Sequence, residues 1–336
     1  MKKILLTYLL VFLTFNLFAQ QKQLEYNLEK KNNITSSDVT QYSNTIEKIL
    51  FQDNIIWLAT SKGLSKSSDN GLSWTNFYNV KEFGTESVSS VGYGNGAIWA
   101  STWHYENKLG SNVPVGTGIK YSTIQGQTWN KIPQPVDDPG DSSIVYGINK
   151  IRALPVTVPE QNFIYDIAVT KNTIWIASFA GGLRSARIDS LFSNPNYKWR
   201  RVVLPPDNLN SIKPTDILKF SLQPQSGKFG PESYLNHRAF SVLTIDDNTI
   251  YVGTAGGINK STDGGVSWIK FNHTNQTNPI SGNFILALEK NDFDNSIWAG
   301  TWKAEGQSEF WGVSSTKDGG QNWQTFLSDE RALDFG

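Results

Sequence analysis

An eight-residue box, S-x-D-x-G-x-S-W, recurs along this chain at a fixed distance from a second pattern. Together they dictate a β-hairpin repeated many times over. Full copies are carried by Ser67, Asp69, Gly71 and Trp74, by Ser261, Asp263, Gly265 and Trp268, and by Thr316, Asp318, Gly320 and Trp323. A fourth keeps Ser122, Gly126 and Trp129 but has Ile124 at the aspartate position. A degenerate fifth runs from Ala186 to Trp199, with Ile188 at that position and an insertion before the tryptophan. Upstream of each box stands I-[WY]-x-[AGS]-[TS], a gap, then G-[LIV]. Its instances are Ile56-Trp57, Ile98-Trp99, Ile174-Trp175, Ile250-Tyr251 and Ile297-Trp298, followed by Gly63, Gly118, Gly182, Gly257 and Gly312. Each box opens four residues after its glycine. Self-similarity at such a period marks a repeat architecture.

The box has the chemistry of a turn. A short aspartate can accept from nearby backbone N–H groups, and glycine supplies a positive φ. The runs on either side read as strands, so the box is the tip of a hairpin, and its tryptophan opens the next strand with a large apolar face to bury. In the second strand of the first repeat, Ile55, Trp57 and Ala59 fall on one face and Ile56 and Leu58 on the other. Both faces are apolar, as a sheet packed between neighbouring sheets requires.

These boxes resemble the Asp-box (BNR) repeats of β-propellers found in sialidases, sortilin-type receptors, xyloglucanases and photosystem II assembly propellers. The resemblance covers residues 45–326, and the I-W-x-G-T half is also similar to two-component-regulator-type propeller repeats. It implies an all-β propeller of four-stranded blades in which the box is structural and lies on the face opposite the ligand site. Five blades are recognisable, at about 45–78, 87–132, 163–204, 239–271 and 283–326, and 332–336 reads as the start of a sixth. An incomplete ring, cut from a longer protein, is the expectation. A closed five-bladed ring, with 332–336 or the lead-in as closing strand, is the alternative. Two connections, 133–161 and 205–237, are longer than one blade needs, and Ile144-Val145-Tyr146 and Ile217-Leu218-Lys219-Phe220 within them are candidate extra strands.

Met1-Lys2-Lys3 followed by the apolar run 4–18 and Ala19 reads as a cleaved signal peptide, 1–19. That run is shorter than the roughly 20 residues of a membrane span. A secreted, periplasmic or cell-surface protein with no span in the mature chain is therefore expected, and the leader resembles those of Bacteroidetes-type exported proteins. Residues 20–44 form a polar, extended lead-in. Cysteine is absent, so neither disulfides nor thiol chemistry operate. Basic and acidic side chains balance at 30 each, which argues against a nucleic-acid partner.

The connections between second and third strands, and between blades, share one face and vary in length, which marks it as the working face. The residue following each second strand is Ser61, Trp103, Phe179, Ala255 or Trp302. Trp103, Phe179 and Trp302, with His104, Tyr105 and Trp311, are candidates to stack on a sugar ring or anchor a peptide. Packing under their own loops is the alternative.

Sialidase chemistry is disfavoured, because that family's R-I-P motif is missing and no arginine precedes Arg152. A xyloglucanase-type hydrolase needs a carboxylate pair across a cleft. The family's acid-bearing T-D-x-G-G stretch is replaced by Thr60-Ser61-Lys62-Gly63 and Thr254-Ala255-Gly256-Gly257, leaving Glu106, Glu305 and Glu309 as the candidate catalytic residues. His104, His237 and His273 lack metal-ligand spacing, Asp137-Asp138-Pro139-Gly140-Asp141 lacks the EF-hand pattern, and no cofactor motif is present. The expected function is a glycan- or protein-binding module. A glycoside hydrolase using loop carboxylates is the first alternative. An assembly factor with a basic patch at Arg184, Arg187, Lys198, Arg200 and Arg201 is the second.

Overall fold

The computed structural model describes residues 40–222, 235–304 and 308–335. The expected leader and all but the end of the lead-in lie outside them, as does Glu305. Among the described residues no helix is long and apolar enough to cross a membrane.

The fold is a β-propeller, and the described residues form five antiparallel blades of it. Blade 1 comprises β1 (Ile46–Gln52), β2 (Ile55–Thr60), β3 (Gly63–Ser67) and β4 (Thr75–Phe77). Blade 2 comprises β5 (Ser87–Gly94), β6 (Ala97–Lys108), β7 (Ser111–Ser122) and β8 (Asn130–Ile132). A single parallel bridge, Gly63 to Ser87, joins these two blades into one sheet. A separate hairpin follows, β9 (Ser143–Tyr146) and β10 (Asn149–Arg152). Blade 3 has β11 (Ile164–Val169), β12 (Thr173–Ser178), β13 (Gly182–Arg187), the short helix α1 (Ile188–Ser193) and β14 (Arg200–Arg201). After β15 (Ser211–Ile212), blade 4 has β16 (Ala239–Thr244), β17 (Ile250–Thr254), β18 (Gly257–Ser261) and β19 (Trp268–Phe271). Blade 5 has β20 (Phe284–Lys290), β21 (Ile297–Trp302), β22 (Gly312–Thr316) and β23 (Gln324–Phe326). The first strands of successive blades touch one another and so define the axis.

Two expectations need correction. The stretch 103–117 is no loop: β6 and β7 continue through it as a hairpin arm that turns at Leu109 and Gly110, with φ 52° and 82°. Residues 144–146 do form a strand, but 217–220 do not, because Asn149 holds that segment as a loop by donating to Asp216 O and accepting from Leu218 N. The strand that this insertion does supply is β15, on the outer edge of blade 4.

The repeated residues have repeated jobs. In each blade a hydroxyl of the second strand bridges to the repeat glycine of the third: Thr60 to Gly63 O at 2.9 Å, Thr102 to Gly118 O at 3.4 Å, Ser178 to Gly182 O at 3.4 Å, Thr254 to Gly257 O at 2.8 Å and Thr301 to Gly312 O at 2.9 Å. In the box of blade 4, Ser261 Oγ accepts from Gly265 N at 2.8 Å, while Asp263 Oδ1 accepts from Val266 N and Ser267 N at 3.1 and 2.8 Å. In blade 2 the serine suffices: Ser122 Oγ accepts from Ile124 N and Gly126 N at 3.3 and 2.8 Å.

The boxes of blades 2, 4 and 5 also seat on the blade before them. A Cβ on Gly126 would come within 3.2 Å of Trp57, one on Gly265 within 2.5 Å of Trp175, and Tyr251 donates to Gly319 O at 3.3 Å. In blade 3 helix α1 takes over this task, with Phe192 stacked on Trp99 at 5.6 Å and 4°. The covered rings are 0 to 3% exposed, which is where much of the apolar burial between blades is concentrated.

Incoming connections are tied by a buried polar residue, two positions after the third-strand glycine. Ser65 bonds Asn76, which donates to Thr40 O, and Lys120 reaches Glu86 at 3.3 Å. Arg184 reaches Asp137 at 2.6 Å, Asn259 and Asn236 exchange amide bonds at 2.7 and 2.9 Å, and Ser314 Oγ accepts from Ser281 N at 3.1 Å. Buried polar groups must be paired, so each tie is hard to lose.

Candidate ligand face

Ser61, Trp103 and Phe179 lie in the seam to the next blade, and each meets a residue at or just ahead of the start of that blade's first strand. Ser61 O accepts from Ser87 Oγ at 3.0 Å, Trp103 stacks on Phe163 at 4.9 Å, and Arg238 lies over Phe179 at 4.9 Å. Trp302 is overlaid by Arg331 at 5.5 Å. The three aromatic candidates are thus partly occupied by inter-blade packing.

They also belong to a longer arrangement. Tyr105, Trp103, Phe163, Tyr165, Phe240 and Phe284 form a continuous run across the face, with successive centroids 4.9, 4.9, 4.2, 5.1 and 4.4 Å apart. Phe179 joins it at Phe240, 6.1 Å away. The run starts at Tyr105, 55% exposed on the arm, and continues through Phe163 and Phe240, 7% and 3% exposed. Burial pushes the Tyr165 hydroxyl well above the usual phenol range, so it remains a neutral donor.

His104 lies apart from this run. Side chains alternate along β6, which puts His104, Glu106 and Lys108 on the side away from Trp103 and Tyr105. His104 Nε2 is 3.1 Å from Glu106 Oε1, and Lys108 bridges Glu106 and Glu160. Those bonds, from His104 first and Lys108 second, hold the Glu106 carboxyl below the usual range. Glu309 is 7% exposed and accepts from Asn283 N at 3.0 Å, Asn283 Nδ2 at 2.8 Å and Ala304 N at 2.8 Å. It ties its own loop to the connection before blade 5. A general acid for glycoside cleavage needs a carboxyl pushed up, whereas that of Glu106 is held down.

Trp311 forms a second cluster with Trp302. The Arg331 guanidinium lies 4.7 Å over Trp311, Trp302 Nε1 donates to Ala332 O at 2.9 Å, and Trp311 O accepts from Asp329 N at 2.7 Å.

The cations of blade 3 are spoken for. Arg184 and Arg201 share Asp137, Lys198 holds Asp138 and Asp141, and Arg187 holds Asp189. Arg200 donates to Ser185 and lies over Trp175. The aspartates of 137–141 are thereby committed to ion pairs. Burial, with Arg201 and Lys270 adding, pushes His237 down to about 3, so it stays neutral and accepts from Leu204 N.

One feature escaped the sequence reading. Asp207, Asn208, Asn210, Asn272, Thr274, Asn275, Gln276 and Thr277 line an open polar groove of about 590 Å³ between the second insertion and the connection from blade 4 to blade 5. Beneath it Lys270, 1% exposed, donates to Pro206 O and Asp207 O, and burial lowers its pKa to about 8. Asparagine and threonine in such runs read only as turn signals.

No family profile matches the chain, and no curated protein matches it. Among solved structures, an ancestral GH74 enzyme is 16% identical with a TM-score of 0.49, over 87% of this chain and 32% of that one. The GH74 xyloglucanase from Xanthomonas campestris is 13% identical with a TM-score of 0.39, over 83% and 42%. YCF48 from Cyanidioschyzon merolae is 13% identical with a TM-score of 0.40, over 88% and 87%. The chain thus spans about a third of the first of these proteins and well under half of the second.

Proposed function

We propose that this chain is a secreted or cell-surface binding module that engages a glycan or protein through the face bearing the inter-blade connections, without turning it over. The observation that carries the reading is the aromatic run ending at Tyr105. A ring system anchored in the core by Phe163 and Phe240 is held rigid, and its exposed end offers a flat apolar surface beside a hydroxyl at little entropic cost. The carboxylates speak against the hydrolase alternative: Glu106 is clamped and Glu309 is buried as a loop tie. The paired cations of blade 3 speak against an assembly factor working through a basic patch. Secretion is supported by the Lys2-Lys3 and 4–18 leader pattern.

The test is a panel of polysaccharides and peptides read for both retention and released reducing sugar. Retention without release, abolished in Tyr105→Ala, is expected. Sugar release would replace this reading with the hydrolase one. Retention unchanged in Tyr105→Ala would remove the aromatic run from the site.

A further inference from the structure

The hairpin arm of blade 2 has one edge that the chain covers and one that it leaves open. On the β7 side, residues 159–161 lie along the arm as an extended strap. Gly116 N donates to Pro159 O at 3.1 Å, Gln161 N donates to Pro114 O at 2.8 Å, and Val115 and Glu160 form an antiparallel bridge. On the β6 side, β5 begins at Ser87, opposite Trp103. Among the described residues no strand pairs with β6 on that side beyond Trp103.

The register fixes which backbone groups face the open edge. Leu109 and Gly110, both at positive φ, make a two-residue loop that closes on Lys108 and Ser111 as a hydrogen-bonded pair. Bonded and non-bonded pairs then alternate back along the arm. Glu106 and His104 therefore exchange bonds with β7, while Asn107, opposite Asn112, and Tyr105, opposite Pro114, do not. The strap agrees: Pro114 has no N–H, and its carbonyl turns away from β6 to accept from Gln161. The N–H and C=O of Tyr105 and of Asn107 thus point out of the open edge, and no described residue pairs with them. Both residues are exposed. Such a row is a template for another strand. The side chains beside it set what fits. Trp103 and Tyr105 line one face, their rings 4.9 Å apart. On the other face Glu106 and Glu160 share the ammonium of Lys108, which leaves negative charge in excess.

We infer that the open edge of β6 takes up an extended peptide of a partner protein as an added antiparallel strand, bonded to the backbone of Tyr105 and Asn107. The peptide carries apolar side chains opposite those two residues, on the side of the Tyr105 ring, and a basic side chain between them, opposite Glu106. The strap 159–161 already shows the arm holding an extended segment in this way on its other edge. The inference rests on the arm belonging to the binding face, and it narrows the ligand of that face from glycan or protein to a peptide strand.

The probe is a capped peptide, threonine-valine-lysine-valine-threonine, added to the isotope-labelled chain while amide hydrogen exchange is followed. With peptide present, the amides of Tyr105 and Asn107 should exchange at least about 10-fold more slowly, and those of His104 and Glu106, already bonded within the arm, should not change. Methylating the two valine backbone nitrogens should abolish binding, while methylating that of the lysine, which faces away from the arm, should not. Asn107→Pro deletes one outward donor at a position that gives nothing to the ladder with β7, as Pro114 does on the facing strand. Binding should weaken about 10-fold in that variant and stay unchanged in Asn107→Ala. No slowing of the two amides, or equal binding by the two methylated peptides, would overturn the inference. If a polysaccharide is retained through Tyr105 while the peptide protects neither amide, the binding face stands and the added strand falls. Protection without peptide, growing as chain concentration rises, would put a second copy on the edge and overturn it as well.

Discussion

Lys48 and Asp166, from the first strands of blades 1 and 3, meet at the axis with Nζ 2.6 Å from Oδ1. Asp166 also accepts from Ser90 Oγ at 2.9 Å, Ile167 N at 2.9 Å and Val242 N at 3.0 Å. One carboxylate therefore gathers donors from blades 1, 2, 3 and 4.

Removing that hub should cost more than one hydrogen bond. Asp166→Ala leaves Lys48 without its closest partner, and roughly 3–5 kcal/mol of stability should be lost, measured by urea unfolding. Burial pulls the Lys48 pKa down, but Asp166, Asp334 and Glu289 more than offset it and raise it overall. A raised lysine contributes stability that is complete below its unfolded pKa of about 10.4 and fades above it. The difference between wild type and Lys48→Met should accordingly be flat from neutral pH to about pH 9 and shrink only in strong alkali.

Two adjacent glycines should separate strain from collision. Gly264 and Gly265 both have positive φ, 69° and 80°, but a Cβ meets only Asp247 O at 3.4 Å in the first case and Trp175 at 2.5 Å in the second. Gly264→Ala should cost about 1 kcal/mol from backbone strain. Gly265→Ala should cost roughly 2–3 kcal/mol, because the blade seam must also open. Equal melting temperatures for the two variants would show that the seam is not close-packed there.

Acid should act on the boxes. Bonds from the Ser73 side chain and N–H lower Asp69 to about 2, and bonds from the Asn322 side chain and N–H lower Asp318 to about 2. Burial raises Asp263, but its bonds from Ser267 outweigh that and leave it low. Depressed carboxylates give stability that is present above their unfolded pKa of about 4 and lost as pH falls toward 2. Melting temperature should fall across that window, and less steeply in a variant with all three replaced by asparagine.

Lys270 should give a slope opposite to that of Lys48. Its folded pKa of about 8 is below the unfolded value, so the unfolded chain holds more protons between about pH 8 and 10.4. Stability should rise with pH across that interval and be level in Lys270→Met, as urea midpoints would show.

The second strands were legible because Ile-Trp and Ile-Tyr pairs place apolar groups on both faces, and that pattern survives in all five blades. The arm at 103–117 was written in the same alphabet. Trp103 and Tyr105 alternate with His104 and Glu106, but Leu109-Gly110 is a weak turn signal and Pro114 argues against a strand. Ile217, Leu218 and Phe220 looked like a strand only while the Asn149 side chain that claims their backbone was unknown. Ser211 and Ile212 are too few to leave a period. Of the candidate site, Trp103, Tyr105 and Phe179 are legible from their position after the I-[WY]-x-[AGS]-[TS] pattern. Phe163, Tyr165, Phe240 and Phe284, which connect them, were not, since adjacency between blades has no trace in local spacing.

The buried ties at Ser65, Lys120, Arg184, Asn259 and Ser314 share a position but almost no chemistry. A hydroxyl, an ammonium, a guanidinium and an amide each fit the strap that arrives there, from the short 79–86 to the long 133–161. The wheel thus offers the same peg at every spoke and leaves the length of the cord free. Connecting segments of very different size can be exchanged on such a scaffold by re-matching one side chain, with the hub left as it was.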